Sequence, residues 1–147
     1  MRVFLDANIL FSAAWRDEAA AAMLWPLAKA GYCQLLSSRL AVEEARRNLA
    51  SKRPERSEIL ENLLGTICIG AEPGTAQLAA AKAHGLPSKD IPILAAAMAQ
   101  KVDLLVTGDR RDFGHLYGQA IQGVTILPLQ NTLERLLDNA SGTCNAL

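Results

Sequence analysis

Short apolar runs alternate with longer stretches of helical periodicity along the whole chain. The first run, Arg2 to Leu5, predicts a strand ending at Asp6. Alanine-rich sequence after it predicts helix to about Ala30, stopped by Gly31. Gln34 to Ser37 predicts a second strand, and Ser37 or Ser38 can cap a helix running to about Leu49. Lys52-Arg53-Pro54 interrupts the pattern, and a further helix is predicted over Glu55 to Leu64. Thr66 to Ile69 reads as a third strand, and Thr75 to His84 as a helix ending at Gly85. Asp90 to Gln100 is an apolar helix in which Pro92 fits only near the first turn. Asp103 to Thr107 reads as the central strand, Val124 to Leu127 as an edge strand, and Asn131 to Asn139 as a closing helix. Strands alternating with helices predict an α/β fold with a largely parallel sheet, in one domain over residues 1–147.

Composition narrows the function classes. The chain has 147 residues, of which 50% are hydrophobic, enough for one well-filled core and too many for a disordered chain. No apolar run is long enough to span a membrane. Asp6 interrupts the first apolar run at once, so no signal peptide is expected. Cys33, Cys68 and Cys144 are odd in number and lack metal-type spacing, which reads as ordinary thiols in a reducing cytoplasm. Only His84 and His115 are present, excluding a histidine-rich zinc site. A formal net charge of +0 argues against a purely electrostatic nucleic-acid binder. It leaves a nuclease open, because an acidic site cancels basic residues elsewhere.

Two predicted strands run straight into an aspartate, Asp6 and Asp109. In an open parallel sheet all strand carboxyl ends share one edge, where ligands bind. Neighbouring strands would therefore bring two acids together from opposite ends of the sequence. Carboxylates that close repel unless a proton or a cation lies between them, which points to a metal site and hydrolytic or phosphoryl chemistry. Gly108 would allow an unusual turn that aims Asp109 off the sheet edge. Asp103 starts the same strand and belongs at the opposite edge. On the helix after the second strand, Ala41, Val42, Ala45 and Leu49 share one face. Glu44 flanks that face and can reach a cleft, whereas Glu43 points to solvent. Asp90 either caps the apolar helix, where the macrodipole favours an acid, or is delivered by it into a cleft. Asp112 is a loop cap or a supporting acid.

The runs FLDANIL, SRLAVEEARRNL, SKDIPILAAAMAQKVDLLVTGDRRDFG and GVTILPL, taken in series, resemble a PIN domain across nearly the whole chain. Only the segment Lys52 to Gly74 matches less well. The resemblance implies a three-layer α/β/α sandwich with a central, mostly parallel sheet. It also implies acids that bind Mg²⁺ or Mn²⁺ and cleave RNA. By position, Asp6, Glu44, Asp90 and Asp109 match the acids expected to be both catalytic and metal-binding. Asp6 and Asp90 would be the central ligands. Asn8 and Thr107 match polar residues that support the first and last acids, and Asp112 falls where many relatives carry a further acid. Small one-domain relatives are commonly toxins of the VapBC type, which implies a small antitoxin partner and a homodimer.

A ribonuclease needs cations for its substrate. Arg39, Arg46, Arg47, Lys52, Arg53 and Arg56 cluster around Glu44, and Arg110 and Arg111 follow Asp109. Arg110, Arg111 and Arg47 are the expected RNA contacts. Trp15 and Trp25 read as core residues, and Tyr117 as a possible base-stacking group. A haloacid-dehalogenase-type phosphatase needs an acid two residues after the first, where this chain has Asn8. A receiver domain needs paired acids after its first strand and a late lysine in a set loop, and neither is evident. Flap-type nucleases share the site logic but need extra DNA-gripping segments. A PIN nuclease of RNA processing and a catalytically silent binding module remain as alternatives.

Overall fold

The computed structural model describes residues 1–145 and the side chains of residues 1–139. Cys144 therefore lies outside the described side chains. A six-stranded sheet runs in the order β3-β2-β1-β4-β6-β5. Its strands are β1 (Arg2–Leu5), β2 (Gln34–Ser37), β3 (Cys68–Ile69), β4 (Leu104–Val106), β5 (Ala120–Ile121) and β6 (Val124–Leu127). All pairings are parallel except β5 with β6. The helices are α1 (Ala7–Trp15), α2 (Leu24–Lys29), α3 (Arg39–Lys52), α4 (Ser57–Leu64), α5 (Thr75–Ala81), α6 (Ile91–Ala99), α7 (Arg110–Phe113) and α8 (Leu129–Asn145). The result is the expected three-layer α/β/α sandwich around a mostly parallel sheet.

The chain steps outward from β1 to β2 and β3, then returns to β4 on the other side of β1. Right-handed crossovers place α1 to α4 on one face and α5 and α6 on the other. The direction of travel reverses between β1 and β4. That reversal opens a crevice at their carboxyl ends, the usual ligand position in such sheets. Register holds the two strands tightly, with Leu5 opposite Val106. Phe4, Leu5, Leu105 and Val106 are fully buried beneath the crevice.

Most elements form where apolar period and punctuation place them. Ser38 caps α3 by accepting from the Ala41 amide at 3.2 Å. Gly31 and Gly85 stop helical segments with φ of +90° and +70°, a conformation that a side chain would strain. Three expectations differ. The alanine-rich stretch is two helices, because the chain turns at Arg16 to Ala19 and then forms a short 3₁₀ turn at Ala20–Met23. β6 is not the edge strand, since β5 pairs outside it through a two-residue turn at Gln122 and Gly123. Both turn residues have positive φ, 49° and 85°, which suits the twist of a tight hairpin. The closing helix begins at Leu129 rather than Asn131 and extends to Asn145.

One close approach braces β3 against α6. The Gln100 side chain, 6% exposed, donates from Nε2 to the Ser37 carbonyl at 3.1 Å. A methyl group on Gly70 would lie 2.6–2.8 Å from its Cγ, Cδ and Oε1. Gln100 cannot retreat without giving up the bond to Ser37. Gly70→Ala should therefore lower stability by about 1–3 kcal/mol, as overpacking does elsewhere. Chemical denaturation tests this, and Gln100→Ala should recover part of the loss. An unchanged midpoint in Gly70→Ala would show that the contact is slack.

Candidate active site

The crevice is an open cleft of about 460 Å³ whose walls include Asp6, Asn8, Glu44, Asp90 and Asp109, with Lys52 and Lys89 at its rim. Four different elements supply the acids. Asp6 follows β1 and caps α1, Glu44 lies on α3, Asp90 precedes α6, and Asp109 follows β4 and caps α7.

Asp6 is 4% exposed and both of its oxygens are engaged. Oδ1 accepts from the Ala7 amide at 2.7 Å. Oδ2 accepts from the Thr107 hydroxyl at 2.8 Å and from Asn8 Nδ2 at 3.3 Å. Burial raises its pKa above the ordinary carboxylate value, and the bonds from Thr107 and Ala7 oppose that rise. The charges of Glu44 and Asp109 push the same way as burial.

Asn8 and Thr107 stitch the β1 and β4 loops together. Asn8 accepts from the Gly108 amide at 2.8 Å through Oδ1 and reaches Thr107 Oγ1 through Nδ2 at 3.2 Å. Thr107 Oγ1 also accepts from the Asp109 amide at 3.2 Å. Its carbonyl accepts from the Tyr117 hydroxyl at 2.8 Å. Tyr117 is thus a partly buried brace behind the loop. Gly108, expected to allow an unusual turn, keeps a backbone outside the positive-φ region. Its missing side chain serves close approach instead, since a Cβ would sit 3.4 Å from Asn8 Oδ1.

Asp90 differs from the other two aspartates at helix starts. It is 8% exposed, and its side chain makes no cap bond although it stands at the N-cap of α6. Its Oδ2 is buried without a hydrogen-bond donor. Carboxylate oxygens of Asp90, Asp109 and Asp112 lie within 4.8 Å of one another. Burial, and then the hydrogen bond to Asp112, push the Asp90 carboxyl up to about 7. The same shared bond holds Asp112 below its ordinary value. Below about pH 7 and without a cation, Asp90 therefore favours its protonated form, beside an Asp112 that favours its charged form.

The tightest acid cluster therefore includes Asp112, expected only as a supporting residue. Asp6 and Glu44, expected among the ligands, line the same cleft outside that cluster. Glu43 points away and pairs with Arg39 at 3.1 Å. Asp103 lies at the opposite edge, accepting from the Arg2 amide at 2.7 Å. The donor set is oxygen only, and one of its members, Asp90, has a buried oxygen without a partner. That combination fits a hard divalent cation held by Asp90, Asp109 and Asp112.

The expected basic rim is mostly spoken for. Arg39, Arg46, Arg53 and Arg56 pair with Glu43, Glu61, Glu55 and Asp17 respectively. Arg47, Arg110 and Arg111 are exposed and do not line the cleft. The cations at the cleft are two lysines. Lys89 Nζ lies 3.4 Å from Asp112 Oδ2, and Lys52 Nζ lies 5.7 Å from the centre of the Phe11 ring. Lys89 was missed because a lysine beside an aspartate in a Pro-Ser-Lys-Asp turn looks like any solvated loop. Its adjacency to Asp90 was the available signal. Trp25 is partly buried, its indole N–H bonded to the Leu63 carbonyl at 3.0 Å. Trp15, also expected in the core, is 36% exposed.

Known proteins with related folds carry the same architecture. A chain of the VapBC2 structure from Rickettsia felis, solved bound to a DNA fragment from their promoter, shares 16% identity at a TM-score of 0.63 and covers 87% of this chain and 98% of its own. PAE2754 from Pyrobaculum aerophilum shares 20% identity at a TM-score of 0.63, covering 94% of this chain and 99% of its own. FitAcB from Neisseria gonorrhoeae shares 21% identity at a TM-score of 0.53, covering 87% and 98%. Comparison with curated proteins returns no match. The family model described as PIN domain matches residues 2–111, a span that holds Asp6, Glu44, Asp90 and Asp109 in order. The chain belongs to the PIN domain family.

Proposed function

We propose that this protein is a metal-dependent endoribonuclease that hydrolyses RNA phosphodiesters. One observation carries the reading: Asp90, which has a buried carboxylate oxygen without a donor, clusters with Asp109 and Asp112 within 4.8 Å, at a cleft that Asp6, Glu44, Asp90 and Asp109 line. Such a cluster holds Mg²⁺ or Mn²⁺ through Asp90, Asp109 and Asp112. Asp6 and Glu44, which line the same cleft as Asp90 and Asp109, would complete the acidic surround of such an ion. The bound ion supplies a lowered pKa for attacking water and charge stabilisation at the phosphate. The chain's own residues do the rest. Asp6, fixed by Thr107, Asn8 and Ala7, presents an oriented acceptor for a proton of the attacking water. Lys52 and Lys89 attract the phosphate backbone to a cleft that is otherwise acidic. No covalent enzyme intermediate is needed.

We further read the protein as the toxin of a VapBC-type pair, neutralised by a small antitoxin, and as a homodimer. Support comes from the family membership and from the likeness to VapBC2 and FitAcB. A catalytically silent binding module is the outcome the following assay separates.

Purified protein should cut members of a tRNA and rRNA-fragment panel at discrete positions in Mg²⁺ or Mn²⁺, and not in EDTA. Asp6→Asn and Asp90→Asn should each lower the rate by about 100-fold or more, on the scale of a lost proton-transfer or electrostatic group. Intact RNA in every metal, with folded protein free of inhibitor, would reject the nuclease reading.

The raised carboxyls of Asp90 and Asp6 also set a pH dependence. Unfolded Asp90 ionises near 3.8, folded Asp90 near 7. Between those values the folded state holds a proton that the unfolded state has lost, so stability falls as pH rises from about 4 to about 7. Asp6 acts in the same direction. Asp112, shifted downward, acts below that window. Metal-free protein should therefore melt lower at pH 8 than at pH 5. The pH-dependent loss attributable to Asp90 should be on the order of 1–3 kcal/mol. Asp90→Asn should flatten the dependence, and millimolar Mn²⁺ should restore wild-type stability at pH 8. Parallel melting curves for wild type and Asp90→Asn across this range would refute the assignment.

A further inference from the structure

α1 carries the cleft outward. Asn8, Phe11, Ser12 and Trp15 recur at helical spacing and share one face, while Ala7, Leu10 and Ala14 on the other face are buried. Asn8 and Phe11 are half-buried, and Ser12 and Trp15 are exposed. The rings of Phe11 and Trp15 lie 5.2 Å apart at 35°, forming one continuous aromatic surface. Cations flank both rings. Lys52 Nζ stands 5.7 Å from the Phe11 ring centre and Arg53 Cζ stands 5.1 Å from that of Trp15. A second cavity, about 540 Å³ in volume, runs along Trp15 and shares Phe11 and Ser12 with the acidic cleft. The two depressions therefore form one path.

We propose that Phe11 and Trp15 are a stacking platform for unpaired bases of single-stranded RNA leading into the acidic cleft, with Lys52 meeting its phosphates. This deepens the ribonuclease reading above and rests on it. Any base can stack on an aromatic ring, so the platform holds substrate without reading its sequence. From Asp6 to Trp15 the helix rises roughly 13 Å, the length of about three to four stacked nucleotides. Arg53, bonded to the Trp15 carbonyl and to Glu55, braces the end of the helix that carries the indole and is not itself a phosphate contact. Lys52 makes no ion pair among the described residues and keeps its charge available. Duplex RNA offers no free base faces to this surface, so the platform selects single strands.

The test uses full-length protein carrying Asp6→Asn and Trp25→Phe, which leaves Trp15 as the sole tryptophan. A single-stranded 12-nucleotide oligoadenylate or oligouridylate should quench its fluorescence, and the oligoadenylate–oligouridylate duplex should quench far less. By anisotropy of labelled oligonucleotide, Trp15→Ala should weaken binding about 5- to 100-fold, and Trp15→Phe should recover part of that. Lys52→Gln should lower the salt slope by about one phosphate contact. Circular dichroism checks that each variant is folded. Folded Trp15→Ala with unchanged affinity, or equal quenching by duplex, overturns the proposal. So does a Trp15→Ala variant that keeps RNA affinity and loses only a co-expressed protein partner, since the face is then a protein dock. Cleavage is followed in parallel without Asp6→Asn. If cleavage depends on Asp6 while Trp15→Ala changes neither rate nor affinity, the platform alone falls. If quenching and affinity behave as expected with no cleavage in any metal, the nuclease reading alone falls.

Discussion

The hydrogen bond from Thr107 to Asp6 spans 101 positions of sequence and exists because β1 and β4 are parallel neighbours in register. Everything at the cleft depends on that pairing. It places the ends of two strands side by side, so that residues just beyond them share one edge. Asn8 and Gly108 then lock the two loops together through backbone and side chain. With the loops tied, α1 and α7 are aimed from fixed points, and their leading acids, Asp6 and Asp109, line one cleft with Asp90. A hydrogen bond to an ionised group contributes about 1.5–3 kcal/mol. Here its larger role is to hold geometry, because a slip of one register position would send Thr107 to the other face of the sheet.

Concentrating carboxylates against an apolar helix costs stability in a way the core must offset. α6 is buried almost throughout, from Ile93 to Met98, so its N-terminal acid has little water around it. Asp90 therefore keeps a proton at pH values where a free aspartate would not. The same burial that penalises the bare anion strengthens its attraction to a cation. The cost of the bare anion and the proposed affinity for a metal would thus both follow from one placement. A better-hydrated acid would relieve the first and weaken the second.

The sheet was largely legible because buried parallel strands are short apolar runs bounded by helix signals. The β5 strand was not, since Ala120-Ile121 is two residues long and its turn, Gln122-Gly123, lacks the usual Asn or Asp. The first helix was overrun because alanine favours helix everywhere and so marks no boundary, whereas the break near Arg16 to Ala19 is imposed by tertiary packing. Positions of the acids could be read because strand ends and helix starts are local features. Their mutual distances could not. Whether Asp112 or Asp6 stands nearest Asp90 depends on how a four-residue helix after Asp109 turns its side chains, and that is decided by contacts with α6 and Lys89.

The cations make the same point about what a linear reading misses. Six basic residues crowd α3 and its end, which looks like a substrate-binding face. In the fold, four of them pair with acids, two of which, Glu61 and Asp17, come from elsewhere in the sequence. Exposed pairs of this kind contribute little to stability and are screened by salt, yet they remove charge from the rim. What remains at the cleft is Lys52 and Lys89, one over an aromatic ring and one beside an acid. A lysine that shares Asp112 with the cluster neutralises part of its charge while the protein is without metal. A cation held by Asp90, Asp109 and Asp112, as proposed, would compete with Lys89 for Asp112 and weaken that attachment. The proposed metal and the proposed phosphate substrate would then be coupled through one exposed side chain, Lys89.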